Sequence, residues 1–149
     1  MSNIDKTRSG ALLGQKPFDG AGKVYVMKNV IDLTAAGITQ SDVYQCLAIP
    51  AQTKVVEVGT RIITPAVGTT LTMNVGDGGA TNGWDASVDG KAVANTNSWA
   101  ANGTDARATA TGNGYLYESA DSIDIVMTTA TSITAGPKLE IFALCIDFS

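Results

Sequence analysis

Histidine is absent from this sequence of 149 residues. Ser-His-Asp and Cys-His nucleophilic catalysis both need an imidazole as general base, so their usual forms are excluded. No glycine-rich stretch ends in the Lys-Ser or Lys-Thr pair that closes a phosphate-binding loop. These absences argue against the most common kinds of enzyme site.

Cysteine is also scarce, because the chain contains only Cys46 and Cys145. They lie far apart inside apolar runs, and their spacing matches no metal motif and no CxxC redox motif. We expect two buried free thiols that act as small apolar side chains. A disulfide between them would require that their two strands face each other.

Charged residues make up only 16% of the chain, against about 25% in a typical soluble domain. The net charge of −4 implies no general affinity for nucleic acid. No apolar run is long enough to span a bilayer, and the N-terminus shows no secretory signal. We therefore expect neither a nucleic-acid nor a membrane partner, and we expect synthesis in a cytoplasm.

The charge is distributed unevenly along the chain. Residues 1–28 contain five basic and two acidic residues, a net +3 that leaves −7 for the remainder. Within them, residues 1–21 show neither helical nor strand periodicity, so we expect an extended N-terminal arm. A basic arm can contact an acidic neighbour; the alternative is a solvated tail. The candidate partner contacts in the arm are Leu12, Leu13, Lys16 and Phe18.

Residues 22–149 predict a single all-β domain. Apolar and polar residues alternate in short runs separated by Gly, Pro, Asn and Asp, and no long helix is predicted. About eight strands with both tight hairpins and long loops favour a β-sandwich with Greek-key connections, hence a jelly roll. The strand patterns fall at 23–31, 43–49, 53–63, 68–75, near 86–93, at 105–111, 115–118, 122–129 and 138–148. Asn113-Gly114 predicts a hairpin turn between two of these runs.

The last predicted strand is apolar on both faces from Ile141 to Ile146. Such a strand either occupies the centre of a sheet or packs against another chain. On the second alternative, Phe142, Leu144 and Ile146 are candidates for a subunit interface.

Residues 74–90, NVGDGGATNGWDASVDG, combine five glycines with three aspartates and a tryptophan. Asp77, Asp85 and Asp89 could supply oxygen ligands to calcium, but Asp-Gly and Asn-Gly pairs also form turns without a cation. Trp84 is expected to anchor this loop to the sandwich, and its alternative role, shared with Trp99, is to stack on a glycan. No firm metal site and no cofactor are predicted.

A pair of carboxylates is the remaining route to catalysis. Glu57 and Glu140 fall at polar positions of predicted strands, and Asp124 does the same, so a solvated face accounts for all three. No convincing catalytic pair is present, and we expect that the protein is not an enzyme. A carboxylate-dependent hydrolase is therefore the least favoured hypothesis for this chain.

Three segments carry a resemblance to a known group of proteins. In VYQCLAIPAQTKVVEV a strand stops at Ile49-Pro50-Ala51 and restarts; in VGDGGATNGW a strand ends in Gly-Asp-Gly and a tryptophan follows; in GYLYESADSIDIVM a tyrosine-rich strand turns into an isoleucine-rich one. The layout over residues 22–148 resembles small structural proteins encoded in tailed-phage genomes, particularly of aquatic bacteria. The stretch 91–113 is longer than in the compact members of that group.

The resemblance implies a virion component with a jelly-roll body, made in the cytoplasm of a bacterial host. Such proteins commonly decorate or cement capsids, often as homotrimers whose N-terminal arm reaches the major capsid protein. Binding through the arm and one end of the sandwich is the expectation here. Some relatives form fibres or other appendages, so a carbohydrate-binding module or a head or tail fibre component is the alternative.

Overall fold

A computed structural model describes residues 3–5, 23–35, 37–99 and 114–149. Within these ranges there are ten strands and no helix, so none that could cross a membrane. The strands are β1 Asn3–Asp5, β2 Val24–Asp32, β3 Val43–Ile49, β4 Thr53–Thr64, β5 Thr70–Gly76, β6 Asp85–Asp89, β7 Asn97–Trp99, β8 Tyr115–Tyr117, β9 Asp121–Thr131 and β10 Lys138–Asp147.

The strands form two sheets whose neighbours are mostly distant in sequence. One sheet has the order β1-β3-β9-β5-β6, and the other has the order β2-β10-β4-β7, with β8 also paired to β4. All pairs are antiparallel except β1 with β3. Successive strands mostly alternate between the two sheets, which is the Greek-key arrangement of a jelly roll. The predicted all-β sandwich is confirmed.

The strands β7 and β8 share one edge of β4. β7 pairs with Gly59–Arg61, and β8 pairs with Thr53–Val55, while β10 occupies the other side of β4 along its length. The two short strands together therefore fill the place of one jelly-roll strand. The predicted strand 105–111 and its turn residue Asn113 lie outside the described residues.

The core lies between the inner faces of the two sheets. The burial of β2 alternates strictly along the strand, with Tyr25, Met27 and Ile31 buried. This is the period-two pattern by which the strand was predicted. Cys46 and Cys145 are buried free thiols. Burial raises the pKa of both thiols, that of Cys145 to about 12.

The strand β10 is central, because it lies between β2 and β4. Its inward side chains are fully buried, while the outward ones, Phe142, Leu144 and Ile146, are half-buried. The central position accounts for the apolar inner side. The outer side remains apolar without being covered by any strand in the described part of the chain.

Candidate interaction surface

The loop between β5 and β6 is organised by one buried carboxylate. Oδ1 of Asp77 accepts hydrogen bonds from the backbone N–H groups of Gly79 and Ala80 at 2.9 and 2.8 Å. Oδ2 of Asp77 accepts the hydroxyl of Tyr117 at 2.7 Å. A side chain at Gly76 would approach the carbonyl oxygen of Ala80 to 2.1 Å, which explains the glycine at the entry to this turn.

Trp84 is fully buried, and its indole N–H donates to the hydroxyl of Tyr117 at 3.1 Å. Tyr117, on β8 of the second sheet, thus binds both Trp84 and Asp77 of the loop between β5 and β6 in the first sheet. The role of Trp84 as a loop anchor agrees with this geometry. Its alternative role in glycan stacking is wrong for this conformation, because a ring with 0% exposure presents no face to a ligand. The structure describes only the backbone of Trp99, which pairs with Gly59.

The three aspartates of this region have different surroundings. Asp77 receives the donors described above, Asp85 is buried at the start of β6, and exposed Asp89 accepts the backbone N–H of Lys91 at 2.8 Å. The described residues contain no group of three or more side chains suited to hold a metal ion. Asx-type turns account for the bonds of Asp77 and Asp89, and calcium binding by this loop stays a prediction.

The outer side of the second sheet carries an apolar surface, which we call the β2–β10 face. Cross-strand pairing places Val26 beside Leu144 and Val24 beside Ile146. Val24 and Val26 are each 62% exposed. The apolar members of the face are Val24, Val26, Val30, Phe142, Leu144 and Ile146. Exposed contiguous apolar patches of this kind mark interaction sites more often than scattered single residues do.

Phe142 lies flat against the next strand of the same face. Its partner on β4 is Gly59, and a Cβ at that position would meet the tip of the Phe142 ring at 2.3 Å. Glycine therefore provides the space that the ring occupies. The ring extends the apolar surface from β10 onto β4.

Ion pairs occupy the other half of the β2–β10 face. The Nζ of Lys28 on β2 lies 2.7 Å from Oε1 of Glu140, and Nη2 of Arg61 on β4 lies 3.0 Å from its Oε2. One carboxylate on β10 therefore joins three strands. The hydrogen bond from Lys28, with further help from Arg61, holds the pKa of Glu140 below its usual value of 4.5, although burial opposes this. A second pair joins Lys138 to Asp32 at 3.2 Å.

Glu57, Glu140 and Asp124 were all expected on a solvated face, and the structure corrects this expectation for Glu140 and Asp124. Glu140 is 8% exposed and paired with two cations. Asp124 is also buried, and its Oδ1 accepts the hydroxyl of Ser122 at 2.6 Å. Glu57 does lie half-buried on the outer side, opposite Leu144. The alternation assigned the correct side of each strand, but it could not reveal the neighbours that cover a side chain.

The predicted arm contacts Leu12, Leu13, Lys16 and Phe18 lie outside the described residues. The described part of the arm is β1, which adds to the edge of β3 in parallel, with Ile4 opposite Tyr44. The arm therefore contributes a strand to the sandwich of its own chain.

The fold is shared with chains of three solved phage capsids. The similar chains belong to the capsid asymmetric unit of cyanophage Pam1 (TM-score 0.62, 19% identity, 92% of this chain and 94% of that chain) and to the capsid of Ralstonia phage GP4 (TM-score 0.64, 18% identity, 98% and 99%). A third belongs to the acidic stable capsid structure of Helicobacter pylori bacteriophage KHP30 (TM-score 0.60, 17% identity, 87% and 92%).

The chain has the fold of these capsid chains. The similarity covers nearly all of both partners in each comparison, so it concerns the whole jelly roll and not one shared motif. Scans against protein-family models and against curated proteins gave no match. At these identities the comparison establishes architecture, and function has to be argued from the surfaces.

Proposed function

We propose that this chain is a virion structural protein, without catalytic activity, that decorates or cements a phage capsid. The observation that carries the proposal is the full-length similarity to chains that come from three phage capsid structures. Two properties of the chain support it: it has no histidine, and three of its exposed apolar residues, Val24, Val26 and Val30, share the outer side of one sheet. The chain would be made in the host cytoplasm and would reside in the virion.

The binding mode has two parts in this proposal. The arm contacts the major capsid protein through Leu12, Leu13, Lys16 and Phe18, and one end of the sandwich rests on the shell. The chain as a whole is acidic, with a sequence pI of about 4.6, whereas residues 1–28 carry a net +3, and this contrast gives the arm a distinct electrostatic role. Three copies of the chain act together as a homotrimer.

The first test is direct. Mass spectrometry of purified virions of the encoding phage should detect this chain at a copy number comparable with that of the major capsid protein. Density of jelly-roll size on the outer surface of the shell should account for it. Absence from washed virions would refute the proposal.

The arm is tested with two variants on particles that lack the protein. Deleting residues 1–20 removes β1 as well as the predicted contacts, whereas replacing Leu12, Leu13 and Phe18 by serine leaves β1 intact. Both variants should fail to co-sediment with the particles while keeping the β-rich circular dichroism of the wild type. Unimpaired binding of the serine variant would refute the role of the arm side chains.

A glycan-binding role in a phage appendage is the second candidate, and one cleft favours it. Residues 115–121 line an open cavity of about 490 Å³. They include Tyr115 and Tyr117, whose rings meet edge to face with their centroids 4.9 Å apart. Clefts of this size with an aromatic side chain suit a small sugar. A glycan array should give hits that Tyr115→Ala and Trp99→Ala abolish; an array without hits, with and without calcium, would exclude this candidate.

A further inference from the structure

Five of the six apolar side chains of the β2–β10 face lie in one half of it, and the sixth, Val30, lies beside Glu140 in the other half. Direct cross-strand pairs place Ile146 beside Val24, Leu144 beside Val26, and Phe142 beside Lys28. The ion pairs of Glu140 and Asp32 lie toward the other end of the same strands. An apolar area with satisfied ion pairs beside it resembles the apolar core and part of the polar rim of a protein–protein interface.

The apolar half also lies where another molecule can reach it. β2 is the last strand of its sheet, since β10 is its only strand partner in the described part of the chain. Two of its three outward valines, Val24 and Val26, are more than half exposed, although valine is a residue that normally avoids water. Nothing in the described residues of this chain covers them.

The net charge of the β2–β10 face favours a second copy of this chain as its partner. Seven charged side chains point outward from β2, β10 and β4, four basic and three acidic: Lys28, Lys54, Arg61, Lys138, Asp32, Glu57 and Glu140. Their sum is +1, whereas the chain as a whole carries −4. Every copy carries the same net charge of −4, and a face that is close to neutral adds little repulsion where two copies meet.

We propose that the apolar half of the β2–β10 face is the contact between copies of this chain. This inference rests on the proposed function for one point, that several copies of the chain assemble, and it adds the surface through which they meet. Five of the seven charges are paired within the chain and lie toward the other half of the face, so contact at the apolar half leaves these pairs intact. The other two, Lys54 and Glu57, border the apolar half on β4, opposite Ile146 and Leu144. A strongly charged partner protein would find few unpaired charges to bind here, because the ion pairs already neutralise each other.

The dimensions of the face show how much of the contact it provides. Nine residues at about 3.3 Å and three strands about 4.8 Å apart give a flat area of roughly 400 Å² for the whole face, and thus about 200 Å² for its apolar half. A stable interface buries about 800 Å² on each partner. The face therefore forms the centre of the contact, and adjoining segments, of which the chain that enters at Val24 is the nearest, supply the rest.

The test is the native mass measured by light scattering on a sizing column. The wild type should elute as an oligomer of the 15.3 kDa chain. The double variant Val24→Glu/Val26→Glu should elute as a monomer, because assembly would bury two unpaired carboxylates from each copy. The variant should keep the thermal unfolding profile of a folded body, since both side chains are largely exposed in the single chain.

Matched controls are available on other surfaces. Val67 is 59% exposed and Val93 is 78% exposed, and neither lies on the β2–β10 face. Val67→Glu and Val93→Glu should leave the oligomer intact. If the glutamate pair prevents folding, Val24→Thr/Val26→Thr keeps the branched shape and should still raise the dissociation constant by about tenfold or more.

Two results would overturn the proposal: an oligomer that persists in the folded glutamate variant, or a wild type that is monomeric at the same concentrations. Either result leaves capsid binding to be judged by co-sedimentation alone. Conversely, an oligomer that depends on Val24 and Val26 but is absent from virions would refute the proposed function and leave this contact standing.

Discussion

Tyr117 connects parts of the molecule that the sequence keeps far apart. Its hydroxyl accepts from Trp84 and donates to Asp77, and Asp77 in turn accepts two backbone N–H groups of the following turn. One phenol therefore holds the loop after β5 against β8. Hydrogen bonds to a buried carboxylate are among the more stabilising kind.

Replacing Tyr117 by phenylalanine should destabilise the fold by about 1–3 kcal/mol, because it deprives two buried groups of a hydrogen bond without changing the ring. Urea unfolding measures the loss, and limited proteolysis should show earlier cleavage in the 77–84 loop. The control is Tyr25→Phe, whose hydroxyl makes a longer contact of 3.4 Å to Thr53. Equal stability losses for both variants would contradict the special role of Tyr117.

The two thiols give a second prediction at this scale. Cys46 and Cys145 are fully buried, and burial keeps both protonated at neutral pH by raising their pKa values. Because the thiolate is the reactive form, neither should react with a disulfide reagent in the native protein at pH 8. Two thiols per chain should react in guanidinium chloride. Rapid labelling of the native protein would contradict the burial of the core.

Among the elements, β2, β10 and β4 are joined by more than their backbone ladders. Glu140 on the central strand binds a cation on each neighbouring strand, Lys28 and Arg61. A carboxyl whose pKa is lower in the folded state contributes stability that is fully present above its unfolded pKa and disappears as the pH falls through the folded value. For Glu140 the pKa is shifted in that direction.

The free energy of unfolding should therefore fall more steeply in the wild type than in Glu140→Gln as the pH is lowered from 7 to 3. At pH 7 the variant should be the less stable of the two, since both cations lose their shared carboxylate. Urea titrations at several pH values measure the difference. Glu57→Gln, on the neighbouring strand of the same face, is the control and should follow the wild-type profile.

The longer strands were predictable because each repeats a simple pattern. β2, β3, β4, β9 and β10 all alternate between a core side and an outer side, and their predicted bounds lie within two residues of the observed ones. β1 and β7 were not predicted. Each has three residues and depends on backbone pairing with a distant strand, which leaves no signature in its own side chains.

The candidate site was predictable only in part, for a related reason. The two-sided apolar pattern of β10 identified Phe142, Leu144 and Ile146, and the structure places them together on one outer face. Their neighbours on β2 went unnoticed because an outward valine in an edge strand resembles any other strand residue. The partner of Trp84 is likewise 33 positions away, beyond the reach of a local pattern.

At the scale of the whole molecule, calcium and assembly can be tested together. If the β5–β6 loop is only a set of turns, EDTA should change neither the native mass nor the unfolding temperature. This expectation rests on the bonds of Asp77, whose oxygens already accept three donors. Light scattering and calorimetry with calcium and then with EDTA measure both quantities. A loss of mass in EDTA would make the loop a metal site required for assembly.

The pairing of β2 with β10 has a consequence for how the molecule comes into existence. Nine cross-strand pairs join the first long strand to the last one, so the second sheet cannot close until residues 138–147 have been synthesised. Non-local pairing of this kind slows folding and leaves early strands exposed to wrong partners in the meantime. During translation, the apolar residues of β2 stay unpaired until β10 has been synthesised. A chain stalled before residue 138 is therefore expected to bind chaperones or to aggregate.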